Sequence, residues 1–382
     1  MPETFTPRSR LGQLFGLRGW SGIFAALALI ALVAPLLNLV VPAGNPLHLS
    51  DYAVSLLGKI MCYAILALAM DLIWGYTGIL SLGHGAFFAL GGYAFGMYLM
   101  RQIGLDGVYH SELPDFMVFL DWKAYPWYWS FTDHFWYAVA LVVLVPGLLA
   151  FVFGYFAFRS RIKGVYFSII TQAMTFAFML LFFRNDTGFG GNNGFTDFKR
   201  IIGVPIHTSE MRMTLFVITG LVLVGTLILA RYLVTSKFGR VLTAIRDAES
   251  RVMFSGYDPL WYKLAIWTLS AVIAGIAGAL YVPQVGIINP GEMSPANSIE
   301  VAIWVAVGGR GSLVGAILGA FLVNGAKSWF TVAFPEYWLF FLGAIFIAVT
   351  LFLPQGVIGV MARLRRKMQN KPAADAKAEV AA

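Results

Sequence analysis

Long apolar runs separated by brief polar punctuation repeat along almost the whole chain. Windows near 21–41, 52–74, 80–100, 137–158, 166–183, 213–234, 264–284, 312–332 and 338–357 each approach the roughly 20 residues needed to cross about 30 Å of hydrocarbon, and they predict transmembrane helices. A shorter apolar piece, 298–309, is a half-helix or re-entrant candidate. The stretch from Ser236 to Asp258 breaks the pattern differently. There Val241, Leu242, Ile245, Ala248, Val252 and Met253 recur at helical spacing, while Arg240, Arg246, Asp247, Glu249 and Arg251 cover the other side. The spacing predicts a short amphipathic helix at the membrane surface. Such a helix is either a docking element for a partner that does chemical work or an interfacial helix resting on lipid headgroups.

Composition rules out a soluble globule: 59% of the 382 residues are hydrophobic and 12% charged, with a mean hydropathy of +0.75. The predicted fold class is an all-α polytopic membrane protein. Lys and Arg collect on cytoplasmic flanks, and here one set of loops carries Arg8, Arg10, Arg18, Arg159, Arg161, Lys163, the basic residues from Arg231 to Lys263 and those from Arg363 onward. The opposite loops hold Arg101, Lys123, Arg184, Lys199, Arg200 and Arg212. Both termini are therefore expected in the cytoplasm, which requires an even number of crossings. About ten helices satisfy this, or eight if 298–332 dips in and returns. The expected organisation is an N-terminal arm over 1–20, a membrane domain over 21–360 with a cytoplasmic loop at 235–263, and a tail over 361–382 whose composition reads as disordered. The first apolar run is too long for a signal peptide and reads as an anchor.

The net charge of +8 reflects this topology; the basic residues flank spans and form no separate nucleic-acid-binding domain. The single Cys62 lies inside a span, which leaves no disulfide framework and no metal-ligand set. Gly58-Lys59 lacks the rest of a phosphate-binding loop, and TGFGGNNGF at 187–195 opens no strand-to-helix turn, so the chain is not expected to bind ATP itself. HExxH, GxSxG and paired-carboxylate motifs are also missing, which argues against an enzyme.

Glycines concentrate in the spans. Gly311, Gly315 and Gly319 form one row and Gly92 and Gly96 a pair, the spacing that lets helix backbones approach. GYTGILSLGHG (75–85) and GGRGSLVG (308–315) read instead as helix breaks of the kind that mark a substrate path, with an inverted repeat between them as a hypothesis. Ionisable and polar groups at membrane depth are functional candidates. Asp71 is placed to bond backbone amides of the break just after it, and Lys59 to snorkel toward external headgroups. His84 either lines a pathway or bonds a freed carbonyl. Thr171, Gln172 and Thr175 are read as one face of their span, and Glu300 with Asn297 and Ser298 opens the short apolar piece. The loop from Arg101 to His134, rich in Trp and Tyr, is either an aromatic belt or a landing surface for an extracytoplasmic partner.

Five blocks carry a resemblance to a known family: GYTGILSLGHGAFFALGGY (75–93), IKGVYFSIITQAM (162–174), SKFGRVLTAIRDAE (236–249), LSAVIAGIAGALY (269–281) and WVAVGGRGSLVGAILGA (304–320). Their order and spacing over about 55–360 resemble permeases of the branched-chain amino acid type within ATP-binding-cassette importers. The resemblance implies a bacterial inner-membrane subunit that pairs with a second, related permease, two cytoplasmic ATPases and an extracytoplasmic binding protein. It implies no cofactor on this chain, since ATP sits on the ATPases. The loop around 236–258 would dock into an ATPase groove, with Gly239, Arg240, Arg246, Asp247 and Glu249 carrying the coupling. It departs from the small-residue pattern of such loops in that Arg251, Val252, Met253 and Phe254 precede Gly256. Asp71 with Trp74 in AMDLIWGYTG, the run 182–200 and the ending 334–360 look like the urea-type branch, in particular the second of its two permeases. Urea is then the expected solute, with Asp71, His84, Gln172 and Glu300 along its path. A branched-chain amino acid is the alternative within the family, and an ATP-independent channel or carrier the alternative outside it.

Overall fold

The computed structural model describes residues 14–352, 356–361 and 363; most of the N-terminal arm and nearly all of the C-terminal tail lie outside that range. The chain is a helical bundle. Helix α1 (Leu17–Ala28) continues through two wide π turns, Leu29–Val33 and Leu36–Val40. Pro35 sits between these turns, where its missing N–H and its ring prevent an ordinary α turn. Helix α2 (Asp51–Thr77) is capped by the Ser50 hydroxyl and stopped by Gly78 in the left-handed region, φ 75°. After a non-helical break over residues 78–83, α3 (His84–Arg101) begins. A short α4 (Asp115–Phe119) lies in the following loop, and α5 (Phe135–Arg159), α6 (Val165–Phe183) and α7 (Ser209–Thr235) complete the first part.

Helix α8 (Lys237–Phe254) falls within the predicted amphipathic stretch, buries Leu242, Ile245 and Val252, and is broken at Ala248 (φ −158°, ψ 72°). Helix α9 (Pro259–Val285) returns along the bundle, followed by α10 (Pro295–Gly308), α11 (Leu313–Ala333) and α12 (Trp338–Phe352). Seven helices among the described residues are long and apolar enough to cross a membrane, and α3, α10 and α12 add shorter ones. The chain is therefore an all-α polytopic membrane protein with seven to ten membrane-capable helices.

Helix α2 forms the centre, buried along most of its length, with α9, α7, α11 and α10 around it, and α3 packs mainly against α9 and α5. Glycines set the closest crossing. A Cβ at Gly278 would meet the carbonyl of Phe88, and one at Gly91 would meet the backbone of Gly275, so α3 and α9 touch main chain to main chain. Gly92 and Gly96 accept Val282 and Ile288 side chains beside this contact. Gly315 and Gly319 face the backbone of Gly308 and the Trp304 carbonyl, which lets α10 and α11 pack as an antiparallel pair. Gly311 does not continue that row: it lies before α11, in the turn, at φ 78°.

At the end opposite α8, the loops fold into a cap. Strand β1 (Phe195–Thr196) pairs antiparallel with β4 (Ile287–Ile288), and β2 (Arg200–Ile201) with β3 (Val204–Pro205). The Trp129 indole N–H donates to the Gly188 carbonyl at 2.9 Å and the Tyr128 hydroxyl to the Thr187 carbonyl at 2.7 Å. Arg101 lies 4.3 Å from the Tyr125 ring centroid. Much of this aromatic cluster thus holds one loop to another, while Trp127 remains exposed.

Candidate translocation site

Breaking a helix at membrane depth frees backbone groups that need partners inside the protein. At the first break, residues 78–83, these come from one face of α6. The Ser168 hydroxyl donates to the Leu80 carbonyl at 2.8 Å, the Leu82 N–H donates to Thr171 Oγ1 at 3.0 Å, and Thr175 Oγ1 donates to the Leu82 carbonyl at 3.2 Å. Residues at i, i+3 and i+7 share a helix face. Gln172 does not belong to it: it projects elsewhere and is half-buried.

His84 opens α3 fully buried. Its Nε2 lies 2.7 Å from Ser270 Oγ, and that hydroxyl already donates to the Ala69 carbonyl at 2.5 Å. Nε2 must therefore carry the proton, and Nδ1 receives the Ser81 hydroxyl at 3.2 Å. The imidazole ties α2, α3 and α9 together through hydroxyls; its partner is not a freed carbonyl.

The second break, residues 309–312, is held by the end of α2. Asp71 Oδ1 accepts the Gly311 N–H at 2.7 Å, the Tyr76 hydroxyl donates to the Gly311 carbonyl at 3.0 Å, and the Arg310 guanidinium sits 5.4 Å from the Trp74 ring centroid. A Cβ at Gly75 would collide with Asp71 Oδ1 and with Gly311, so only glycine permits the approach. Asp71 thus grips the distant break, not the adjacent one expected from sequence. The two breaks lie at the same end of the molecule, and α2 and α10 run in the same sense, with Tyr63 beside Trp304 and Gly75 beside Gly311. They are not inverted equivalents of one another.

Between α2 and α10 lies a small cavity of about 30 Å³, lined by Glu292, Asn297, Glu300 and Lys327 and by the apolar and aromatic groups of Tyr63, Leu66, Gly85, Phe88, Val301 and Trp304. Glu300 holds Lys327 with both oxygens, at 3.0 and 2.9 Å. Glu292 accepts the Tyr281 hydroxyl at 3.0 Å and the Asn297 amide at 3.4 Å. Lys59 turns inward, its ammonium 5.8 and 6.0 Å from the Tyr63 and Tyr281 ring centroids, rather than snorkelling. Ser298 accepts the Gly85 N–H at 3.2 Å, so the start of α3 and the start of α10 share this site. Of the four expected pathway residues, Glu300 lines the cavity, His84 is next in sequence to the lining residue Gly85, and Asp71 and Gln172 stand apart from it.

A profile described as "Branched-chain amino acid transport system / permease component" matches residues 52–350. The chain belongs to this family. It is 27% identical over 342 residues to the high-affinity branched-chain amino acid transport system permease protein LivM of Salmonella typhimurium, covering 84% of this chain and 73% of that one. Against the corresponding permease protein BraD of Pseudomonas aeruginosa it is 28% identical over 305 residues, 78% of this chain and 91% of the relative. The ribose import permease protein RbsC of Bacillus subtilis is 28% identical over 145 residues, 36% and 42% of the two chains. No solved structure matches. The chain is accordingly a multi-pass permease of the ATP-binding-cassette importer class and not an enzyme, and ATP belongs to partner ATPases.

In this permease, α8 is seated from inside. Glu249 binds Lys163 at 2.7 Å and also Lys263, joining the loop before α6 to α8 and α9. Arg246 reaches past Gly78 to donate to the Gly75 carbonyl at 2.8 Å. Gly239 is buried where a Cβ would strike the Leu233 and Val234 carbonyls, which allows the turn from α7 into α8. Arg240 and Asp247 face outward. Burial pushes the Glu249 carboxyl up, but hydrogen bonds from Lys163 and Lys263 outweigh this and hold its pKa below the usual 4.5. A depressed carboxyl contributes stability that is complete above its unfolded-state pKa and is lost as pH falls through the folded value. Deuterium exchange of the α8 amides is therefore expected to be flat around neutral pH and to rise only below pH 4.5, with a smaller acid response in Glu249→Gln.

Sequence reasoning missed Lys327, Glu292 and Trp304. Lys327 was available as a charge inside an apolar run. Glu292 lies between spans, where hydropathy gives no alarm, and Trp304 reads as an ordinary apolar residue.

Proposed function

We propose that this permease is one of two related subunits of a bacterial inner-membrane importer that carries urea, driven by two cytoplasmic ATPases and supplied by an extracytoplasmic binding protein. The observation that carries the urea reading is the size and chemistry of the cavity between α2 and α10. At about 30 Å³ it offers space for roughly two waters, since one needs about 10–15 Å³. That is about half of urea's four heavy atoms and a far smaller share of leucine's nine, so of the two solutes urea needs the lesser widening of the cavity. With Lys327 paired to Glu300, the cavity's remaining carboxylate, carboxamide and aromatic walls match a neutral, planar, donor-rich molecule. The relatives LivM and BraD, named as branched-chain amino acid permeases, support a second reading, a branched-chain amino acid.

The end of the bundle bearing α8 is read as cytoplasmic, with both termini there, because Arg159, Arg161, Lys163, Lys237 and Arg240 gather at it. An outward groove of about 420 Å³, lined by Arg240, Val241, Ala244, Asp247 and Arg251, is the ATPase docking face. Arg246 carries its displacement to the α2 end that grips the second break, and Gly239 and Glu249 set the helix in place. On this reading Glu300 meets the solute, Asp71 and His84 hold the broken helices that bound its path, and Gln172 faces a neighbouring subunit or lipid.

Labelled urea and labelled leucine, offered in parallel to vesicles holding the complete importer, test the proposal. Urea uptake that needs both ATP and this subunit is expected. Leucine uptake alone moves the solute to the amino acid branch, and uptake indifferent to ATP removes the importer mechanism.

A further inference from the structure

Trp304 is 3% exposed, lines the cavity between α2 and α10, and carries a buried indole N–H with no hydrogen-bond partner among the described residues. Burying such a donor unmet is unfavourable, and none of the acceptors around it lies within hydrogen-bond reach. Glu300 is engaged by Lys327, and Glu292 by Tyr281 and Asn297. The residues around the cavity thus combine an indole donor without a partner, two carboxylates and a carboxamide, with the Lys327 ammonium already held by Glu300. Urea is the complement of that set, with one strong carbonyl acceptor and four N–H donors in a single plane.

We propose that this cavity is a urea subsite on the translocation path, in which Trp304 Nε1–H donates to the urea carbonyl oxygen while Glu292 and the Asn297 side-chain carbonyl accept from its amide groups. The proposal rests on the urea reading above and extends it to named atoms. Tyr63 and Phe88 supply the flat apolar walls, with the Tyr63 ring centroid 4.9 Å from that of Trp304. Glu292 has four lone-pair directions and accepts hydrogen bonds from Tyr281 and Asn297, which leaves capacity for a ligand. A solute lacking the carbonyl oxygen leaves the indole donor unmet, and one carrying a bulky substituent does not fit.

The test uses the complete importer in proteoliposomes with saturating binding protein, so that capture outside the membrane does not limit the rate. Trp304→Phe keeps the ring and removes only the N–H; Glu292→Gln keeps the shape and removes the charge. Each is expected to lower saturated urea uptake about tenfold, the scale of one lost hydrogen bond to a buried site, while binding-protein-stimulated ATP hydrolysis stays within about twofold of wild type. The number of ATP molecules spent per urea therefore rises. Wild-type uptake by Trp304→Phe overturns the subsite, as does a parallel fall of uptake and hydrolysis in both variants, which is the mark of a purely structural role. If the unaltered importer moves leucine and not urea, the urea reading itself has failed and the subsite falls with it.

Discussion

Lys327→Ala is expected to destabilise the permease by about 3 kcal/mol, near the lower end of what breaking a buried ion pair costs. Glu300 is 8% exposed, and both of its oxygens bond the Lys327 ammonium. Removing the lysine leaves a buried carboxylate between α10 and α11 without its counter-charge. The side chain of Lys327 is itself 35% exposed, which places the cost below that of a fully enclosed pair. Replacing both partners, Glu300→Met with Lys327→Leu, is expected to recover most of the loss, because the pair must first offset the desolvation of two charges. Thermal unfolding of the purified protein across the four combinations gives the coupling energy directly. Urea uptake by the double variant then separates two roles for Glu300. A stable bundle that no longer transports assigns Glu300 to the solute path; a stable bundle that transports normally makes the pair a fastener for α10 and α11 and nothing more.

Gly278→Ala is expected to be destabilising by at least about 2 kcal/mol, whereas Gly225→Ala is expected to be neutral or stabilising by about 0.5–1 kcal/mol. Both are helical glycines in apolar surroundings and they look alike in sequence. A Cβ at Gly278 would run into the Phe88 carbonyl and the Gly92 amide, all main chain, which can yield only if α3 and α9 move apart. At Gly225 nothing lies within 4 Å, so a methyl group gains helix propensity without a clash. The opposite signs in a denaturant or thermal series check the assignment of α3 against α9. Because the first break hangs between α2 and α3, Gly278→Ala is expected to lower transport as well. An equal, mild effect at both positions would contradict the close crossing.

The helices were legible in the sequence because hydropathy and helical period are local properties. Spans, the amphipathic α8, the glycine breaks and the family blocks all follow from residues within about twenty positions of one another. Even the short α10 was visible as an apolar piece too brief to cross comfortably. The sequence also separated the two uses of glycine, packing and breaking, but not which glycine does which. Gly311 shares the four-residue spacing of Gly315 and Gly319, and it lies in the turn because Asp71, 240 positions away, takes its amide.

That contact shows where local reading stops. Asp71 was expected to serve the break beside it and serves the other one; Lys59 was expected to reach outward and lies between two tyrosines, one of them Tyr281 on α9. Glu249 and Arg246, charged residues on the polar side of an amphipathic helix, turn in toward Lys163, Lys263 and the Gly75 carbonyl. In each case the partner is set by which helices pack together. The sequence by itself determined that this protein is a helical membrane permease with an exposed amphipathic helix and two broken spans. Only the tertiary structure decided which buried polar groups meet, because at membrane depth a polar side chain must find its hydrogen bonds within the protein, and the nearest partner in space is seldom the nearest in the chain.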